Sequence, residues 1–436
     1  MKPCTLFLVL LLPFYHIGNI SAQTNIGGPF YSDSVLTKAN SPYIVTSDIT
    51  VFQGNTLTIE PGVEIIFDVL KKIILKGSLH AVGTVSDSIR LSGKNHGRYQ
   101  GIEVWSNDSA RDYQMKMQYC VVEDAGNVVF FQLYMPRGRF DFKHCSFRNN
   151  LDVFMDHPGY VDTTVFDSCS FIGNNDCING GGWSSNAVII SNSFFKNNRI
   201  GTTGGIITNC VFMEHRDYAV TNQVLLKDCI LYNNKIGLVG RQYDGATAIN
   251  NQIIYNEVGV NIMTWQNGPQ KNLKLKDNII CHNKKWNIEY KFNNNITLDT
   301  NCYCLSDSTQ IRATISDGYV NPSYGLVTFS YKDSCTPTMG PPPPPPTSAS
   351  LQMVQAINID IYPNPASGKV TVKWDEHNTE IRSVHVTDVS GKVIVPVTSV
   401  TGNKLEIDLS GFDRGIYIIK LIDRSGFVTS KKVAVQ

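Results

Sequence analysis

Cys145-Ser-Phe-Arg-Asn-Asn150 and Cys169-Ser-Phe-Ile-Gly-Asn174 are two copies of one short pattern. It reads Cys or Asn, one residue, a large apolar residue, two further residues and, usually, Asn. Eight copies run from Cys120 to Asn283, with apolar anchors at Val122, Phe147, Phe171, Phe194, Phe212, Leu231, Ile253 and Ile280. The anchors are 25, 24, 23, 18, 19, 22 and 27 residues apart. Two positions before them stand Cys120, Cys145, Cys169, Asn192, Cys210, Cys229, Asn251 and Asn278. Three positions after them stand Ala125, Asn150, Asn174, Asn197, His215, Asn234, Asn256 and Asn283. A period of this size belongs to a stacked array.

Residue type selects the kind of array. The segments between Asn/Gly clusters are short and rich in Phe, Val, Ile, Tyr and Thr, which predicts strands. No segment carries a long apolar stripe of 3.6-residue period, which excludes a helical solenoid. Residues two apart on a strand point the same way, so the Cys/Asn position and the anchor share the inward face. The Asn three positions later falls at a turn, where Asn tolerates left-handed backbone. Stacked strands lie about 4.8 Å apart, so equivalent Asn side chains can bond along the stack. An interior Asn needs such partners, because leaving it unpaired costs several kcal/mol.

Coils of this length with an Asn ladder resemble the right-handed parallel β-helix of pectate-lyase-like proteins. The resemblance covers about residues 45–335 and implies an all-β solenoid over 23–335. The 18- and 19-residue spacings are short for that family. Either the turns there are tight or the alignment of the copies slips.

Residues 1–22 read as a signal peptide, with Lys2 before an apolar run, Leu6–Phe14, too short to span a bilayer, and Ile20-Ser-Ala22 before the cut. No later stretch is long enough to cross a membrane. The net charge of +1 gives no electrostatic case for nucleic acid. Ten cysteines follow residue 22. Five hold the repeated inward position and are expected to be small buried spacers. Cys281, Cys302, Cys304 and Cys335 lie outside it and can staple the end of the solenoid, with the pairing left open. No Cys/His group has zinc spacing.

Residues 45–105 are strand–turn–strand units that start the stack, and 293–335 read as its terminal cap. Residues 336–350 form a Pro-rich linker, extended by Pro341–Pro346. Residues 351–436 hold seven short alternating strands, the pattern of a small Ig-like β-sandwich. Here Ile361-Tyr-Pro-Asn-Pro-Ala366, Val389-Ser-Gly-Lys-Val393, Gly415-Ile-Tyr-Ile-Ile-Lys420 and Lys431-Lys-Val-Ala-Val435 resemble the C-terminal sorting domain of type IX secretion. Tyr362, Pro363, Asn364, Pro365, Gly415 and Tyr417 carry that resemblance. It implies the type IX machinery as partner, and a secreted or outer-membrane surface-attached product.

The strand after each Asn turn ends near Asp156-His157, Trp183, Gln223, Arg241-Gln-Tyr-Asp244, Trp265-Gln266 and Glu289-Tyr290. In-register stacking would align these groups. Trp183, Tyr243, Trp265 and Tyr290 are therefore candidates for holding the apolar faces of sugars. The plainer alternative is that they cover the solenoid's flank. Asp156, His157, Arg241 and Asp244 are the acid–base candidates. Asp156 and His157 are neighbours on a strand and face opposite ways, while Arg241 with Asp244 suits a surface salt bridge as well as a lyase. The Asp-Asp and Gly-His-Gly blocks of related hydrolases are missing, as are the Trp and Arg blocks of pectate lyases. The expectation is a glycan-binding or adhesive exported protein without catalysis and without cofactor. The alternatives are a polysaccharide lyase or hydrolase, with Ca²⁺ only under the lyase reading, and an architectural spacer.

Overall fold

The computed structural model describes residues 23–105, 113–132, 138–155, 163–179, 188–241, 246–263, 273–340, 359–374, 381–388, 393–397, 402–423 and 428–436. Residues 1–22 and 341–358 lie outside them. The chain divides into two compact units, Met1–Pro343 and Pro344–Gln436.

The first unit is a parallel β-helix. One coil contributes Gly138–Lys143, Ser146–Arg148 and Asp152–Met155. The next contributes Thr163–Asp167, Ser170–Ile172 and Asp176–Asn179, each parallel to its counterpart. Repetition builds three parallel sheets, here called first, second and third in chain order. In the second sheet Val122, Phe147, Phe171, Phe195, Phe212, Leu231, Ile253 and Ile280 pair in succession and point inward. The phenylalanines stack, with ring centroids 5.1, 4.3 and 4.4 Å apart from Phe147 to Phe212.

The fourth copy is therefore shifted by one residue from the sequence alignment. Phe195, Ser193 and Asn198 are inward and buried; Phe194, Asn192 and Asn197 are not. Asn192-Ser-Phe-Phe-Lys-Asn-Asn198 fits the motif in two registers, and a one-residue slip exchanges the faces. Corner geometry selects one of them. Asn149, Gly173, Asn197, Glu214, Asn233, Tyr255 and His282 all have φ between 53° and 70°, and each directly precedes the inward ladder residue. The short coils also have tight turns. Ile200–Thr208 begins in the third sheet against Asp176–Asn179 and ends in the first against Val188–Ser191, with no intervening loop. Gly204 and Gly205, at φ 81° and 106°, make the bend, a conformation that glycine adopts without strain. Tyr218–Lys227 likewise serves two sheets.

The ladder runs Asn150, Asn174, Asn198, His215, Asn234, Asn256, Asn283. Asn150 Nδ2 donates to Asn174 Oδ1 at 3.0 Å, and Asn174 Nδ2 to Asn198 Oδ1 at 3.1 Å. Beyond His215, Asn234 Nδ2 donates to Asn256 Oδ1 at 2.9 Å and Asn256 Nδ2 to Asn283 Oδ1 at 3.0 Å. The same amides also donate to backbone carbonyls, as Asn174 does to Phe147 O. A second ladder occupies the other corner: Asn251 donates to Asn278 and Asn278 to Asn301. Cys120, Cys145, Cys169, Cys210 and Cys229 are buried free thiols, as is Cys177. Cys281–Cys304 and Cys302–Cys335 are disulfides at the solenoid's end. Because thiols react only where reagent reaches them, the non-reduced native protein should label at none of these six positions with iodoacetamide. Denaturant should expose all six, as counted by intact mass; labelling in the native state would contradict the inward placement.

Thr24–Phe30 opens the stack, parallel to Tyr43–Val51. The far end is closed by Ser308–Arg312, by Ile296–Asn301 paired with Val327–Tyr331, and by an ion pair of Arg312 with the fully buried Asp317 at 2.7 Å. The following segment folds back over the second sheet. Thr338 N–H donates to Gln252 Oε1 at 2.8 Å, and Met339 packs beside Tyr232 and Ile254.

The second unit is a small β-sandwich. Ile359–Tyr362, Lys369–Trp374 and Lys404–Asp408 form one antiparallel sheet. Val393–Val397, Ile381–Thr387, Gly415–Asp423 and Val428–Val435 form the other. Between them lie Val370, Val372, Trp374, Val384, Ile419 and Leu421. The Tyr362-Pro-Asn-Pro365 motif joins the two sheets. Asn364 Nδ2 donates to Lys432 O, and Asn364 Oδ1 accepts from Ala434 N–H, both at 3.0 Å. Prolines on either side lack an N–H, so the Asn side chain supplies the pairing there. Gly415 opens a strand opposite Val435, and Tyr417 OH donates to Asp413 O at 2.9 Å.

Candidate functional site

The third sheet carries the candidate surface. On Lys72–Leu75 and Tyr99–Trp105 the residues Ile73, Leu75, Ile102 and Val104 are buried inward. Alternation turns Lys72, Ile74, Glu103 and Trp105 outward. In register, Ile74, Glu103, Phe130 and Met155 form one outward row across successive coils.

Along the edge where these strands end, Tyr31, Phe52, Lys76 and Trp105 occupy successive coils. Tyr31 stacks on Phe52 at 4.7 Å. Lys76 Nζ lies 5.6 Å from the Phe52 ring and 4.8 Å from the Trp105 ring, within cation–π range of both. Tyr31 is 72% exposed and Trp105 38%. The row is held in place by this packing and by the cation, and it is exposed to solvent at Tyr31 and Trp105.

Beside it is a cleft of about 480 Å³, walled by Leu70, Phe130 and Leu151. Lys72 Nζ lies 2.7 Å from Glu103 Oε2, and Glu103 is fully buried. Glu103 Oε1 and Asn127 Oδ1 are buried without a hydrogen-bond partner among the described residues. Arg98 Nη1 is committed to two backbone carbonyls, Ala125 O at 3.0 Å and Asn149 O at 3.1 Å. A bulge sets this floor: Asn127 pairs with Gly101 and Val129 with Ile102, leaving Val128 extra. Bulges re-aim neighbouring side chains. Gly101, at φ 108°, is required, since a Cβ there would sit 1.5 Å from Asn127 O.

The next outward positions along the sheet are Asp152 and Asp176, directly paired. Burial raises the carboxyl pKa of both. Arg199 Nη2 reaches Asp176 Oδ2 at 2.5 Å and Arg199 Nη1 reaches Asp217 Oδ2 at 3.2 Å, so Asp176 belongs to an ion-pair network. For a metal, the compact group among the described residues is Cys281, His282 and Cys304, and its two sulfurs are joined to each other.

Of the residues singled out in the sequence, Asp156, His157, Trp183, Tyr243, Asp244 and Trp265 lie outside the described residues. Arg241 ends Ile236–Arg241, opposite Met263 in the third sheet. Tyr290 is corrected: it is fully buried against Phe292 and its hydroxyl donates to Asn294 O at 2.6 Å, so it belongs to the core. The aromatic row was missed because residues 45–105 read as a stack-starting segment. The available signal was Phe52, Lys76 and Trp105, each directly after an inward aliphatic residue.

Residues 360–436 match the secretion system C-terminal sorting domain family. The molecule is thus an exported parallel β-helix protein, delivered by its C-terminal domain through the type IX machinery to the cell surface or beyond. The chain is 43% identical over 70 residues to protein bark beetle of Drosophila melanogaster, a match spanning 16% of this chain and 2% of that protein. It is also similar to the crystal structure of the periplasmic alginate epimerase AlgG, at 13% identity and a TM-score of 0.37 over 69% of this chain and 84% of that one. No helix among the described residues is long and apolar enough to cross a membrane.

Proposed function

We propose that this exported β-helix binds extracellular polysaccharide on the outer face of its third sheet, without catalysis. The observation that carries this is the row Tyr31, Phe52, Lys76, Trp105 in successive coils, exposed at Tyr31 and Trp105. Aromatic faces pack against the C–H faces of sugars, and a repeating row suits a repeating chain. Trp105→Ala is expected to weaken retention in affinity electrophoresis about tenfold, the effect of one buried aromatic anchor. Trp183→Ala, Tyr243→Ala and Trp265→Ala belong in the same assay. If wild type is retained by no polymer of a broad neutral and acidic panel, or if Trp105→Ala with Phe52→Ala changes nothing, the reading fails. The first outcome would favour an architectural spacer.

One observation favours a hydrolase instead: Asp152 and Asp176 are adjacent carboxyls with raised pKa. Two carboxyls a few ångströms apart are the equipment of glycoside hydrolysis. Release of reducing ends from the same panel, lost in Asp152→Asn, would move the assignment to that reading.

A further inference from the structure

We propose that the cleft between Lys72, Glu103, Asn127 and Phe130 is a subsite for one neutral sugar unit, recognised through its hydroxyl groups. This rests on the glycan-binding reading of the third-sheet face and adds the class of sugar and the residues that select it.

Buried polar atoms in proteins are satisfied, and each exception calls for an explanation. Among the described residues, the lining includes such exceptions on Glu103 Oε1 and Asn127 Oδ1, both acceptors, and on the Tyr99 hydroxyl. A ligand that completes the site must bring donors. The cations nearby have these partners: Lys72 faces Glu103 at 2.7 Å, Arg98 Nη1 donates to two carbonyls, and Lys76 lies over Trp105. A carboxylate or sulfate ligand would bring acceptors to unpaired acceptors, and would meet Glu103. A hydroxyl is both donor and acceptor. It can donate to Asn127 or Glu103 and accept from the Lys72 ammonium, whose charge Glu103 balances. Phe130, half-buried beside Glu103 in register, offers a ring to the sugar's C–H face. The volume, about 480 Å³, lies within the range of small-molecule sites. The bulge at Val128 and Gly101's close approach hold Asn127 in this position.

The test uses the purified full chain in affinity electrophoresis with galactomannan, xylan and hydroxyethyl cellulose as neutral probes, and polygalacturonate and alginate as acidic ones. Wild type is expected to favour a neutral polymer. Asn127→Ala should weaken that retention about tenfold, as loss of a hydrogen-bonding partner does. Glu103→Gln should weaken it too and raise retention on polygalacturonate, because the Lys72 charge is left uncompensated. Thermal melts check that each variant folds. If Glu103→Gln does not fold, Asn127→Ala and Asn127→Asp carry the test, the latter expected to repel acidic polymers further. Neutral retention unchanged in both Asn127 variants while Trp105→Ala loses it would overturn the subsite and leave the face intact, with ordered water alone filling the cleft. Wild-type preference for an acidic polymer would overturn it as well. No retention of any polymer would instead remove the reading beneath it.

Discussion

Phe195→Ala is expected to destabilise the solenoid by about 3–5 kcal/mol, and Phe194→Ala by less than about 1 kcal/mol. The two residues are adjacent and identical, so composition and local propensity cannot separate them. Phe195 is fully buried, its ring stacked between Phe171 at 4.3 Å and Phe212 at 4.4 Å. Truncation removes contacts with both neighbours and leaves a cavity in the middle of the stack, where rings above and below are held by their own coils and cannot close in. Phe194 faces outward on the same strand and is half-buried. Urea unfolding of the two variants side by side, read as the shift of the midpoint at unchanged slope, measures the difference. Equal costs, or the larger cost at Phe194, would show that the fourth coil has the other register, and would return Asn197 to the ladder.

The second large effect is a loss of stability on acidification that traces to His215. Its ring is the one ladder position without an amide. Nδ1 lies 2.8 Å from Met213 O and donates to it, so the neutral ring carries its proton there, and Nε2 is buried with no partner among the described residues. Burial, opposed only by the bond to Met213, pulls the pKa from 6.5 down to about 4. The folded state therefore binds fewer protons than the unfolded state between those values. Stability is fully present above about pH 6.5, declines as pH falls towards about 4, and is level below that. The difference corresponds to about 3 kcal/mol. His215→Asn restores an amide to the ladder and removes the titration. Its stability advantage over wild type should therefore grow by about that amount between pH 7 and pH 4. Asp152 and Asp176, whose raised pKa values act in the opposite direction, are common to both proteins and cancel. Parallel urea titrations of the two proteins at several pH values provide the measurement. An advantage that does not change with pH would mean that His215 is solvated or protonated in the fold.

Much of the architecture is written in the repeat itself. The repeat places a bulky apolar group and a small or amide side chain on one face, and no arrangement of short strands buries both except a stack. Asn150, Asn174, Asn234 and Asn256 follow from that, because each buried amide needs a partner and the nearest one is its own equivalent in the next coil. The sandwich at the end is legible for a related reason. Its Tyr362-Pro-Asn-Pro365 block must pair without two of its N–H groups, and few side chains other than Asn can do so.

Where two residues of the same kind stand together, sequence could not choose between them. Phe194 and Phe195, or Asn197 and Asn198, differ only in which one faces the coil below, and pairing between coils determines that. Tyr290 shows the same limit: a tyrosine at a strand end suits a sugar groove or a core equally well, until Phe292 and Asn294 O are seen around it. The cleft was out of reach altogether. Lys72, Glu103 and Asn127 are separated by 31 and 24 residues and share no motif. Inward periodicity is written along the chain, since every coil must satisfy the same interior. Outward neighbours come from different coils, and their juxtaposition depends on register and on one bulge, which the linear pattern does not encode.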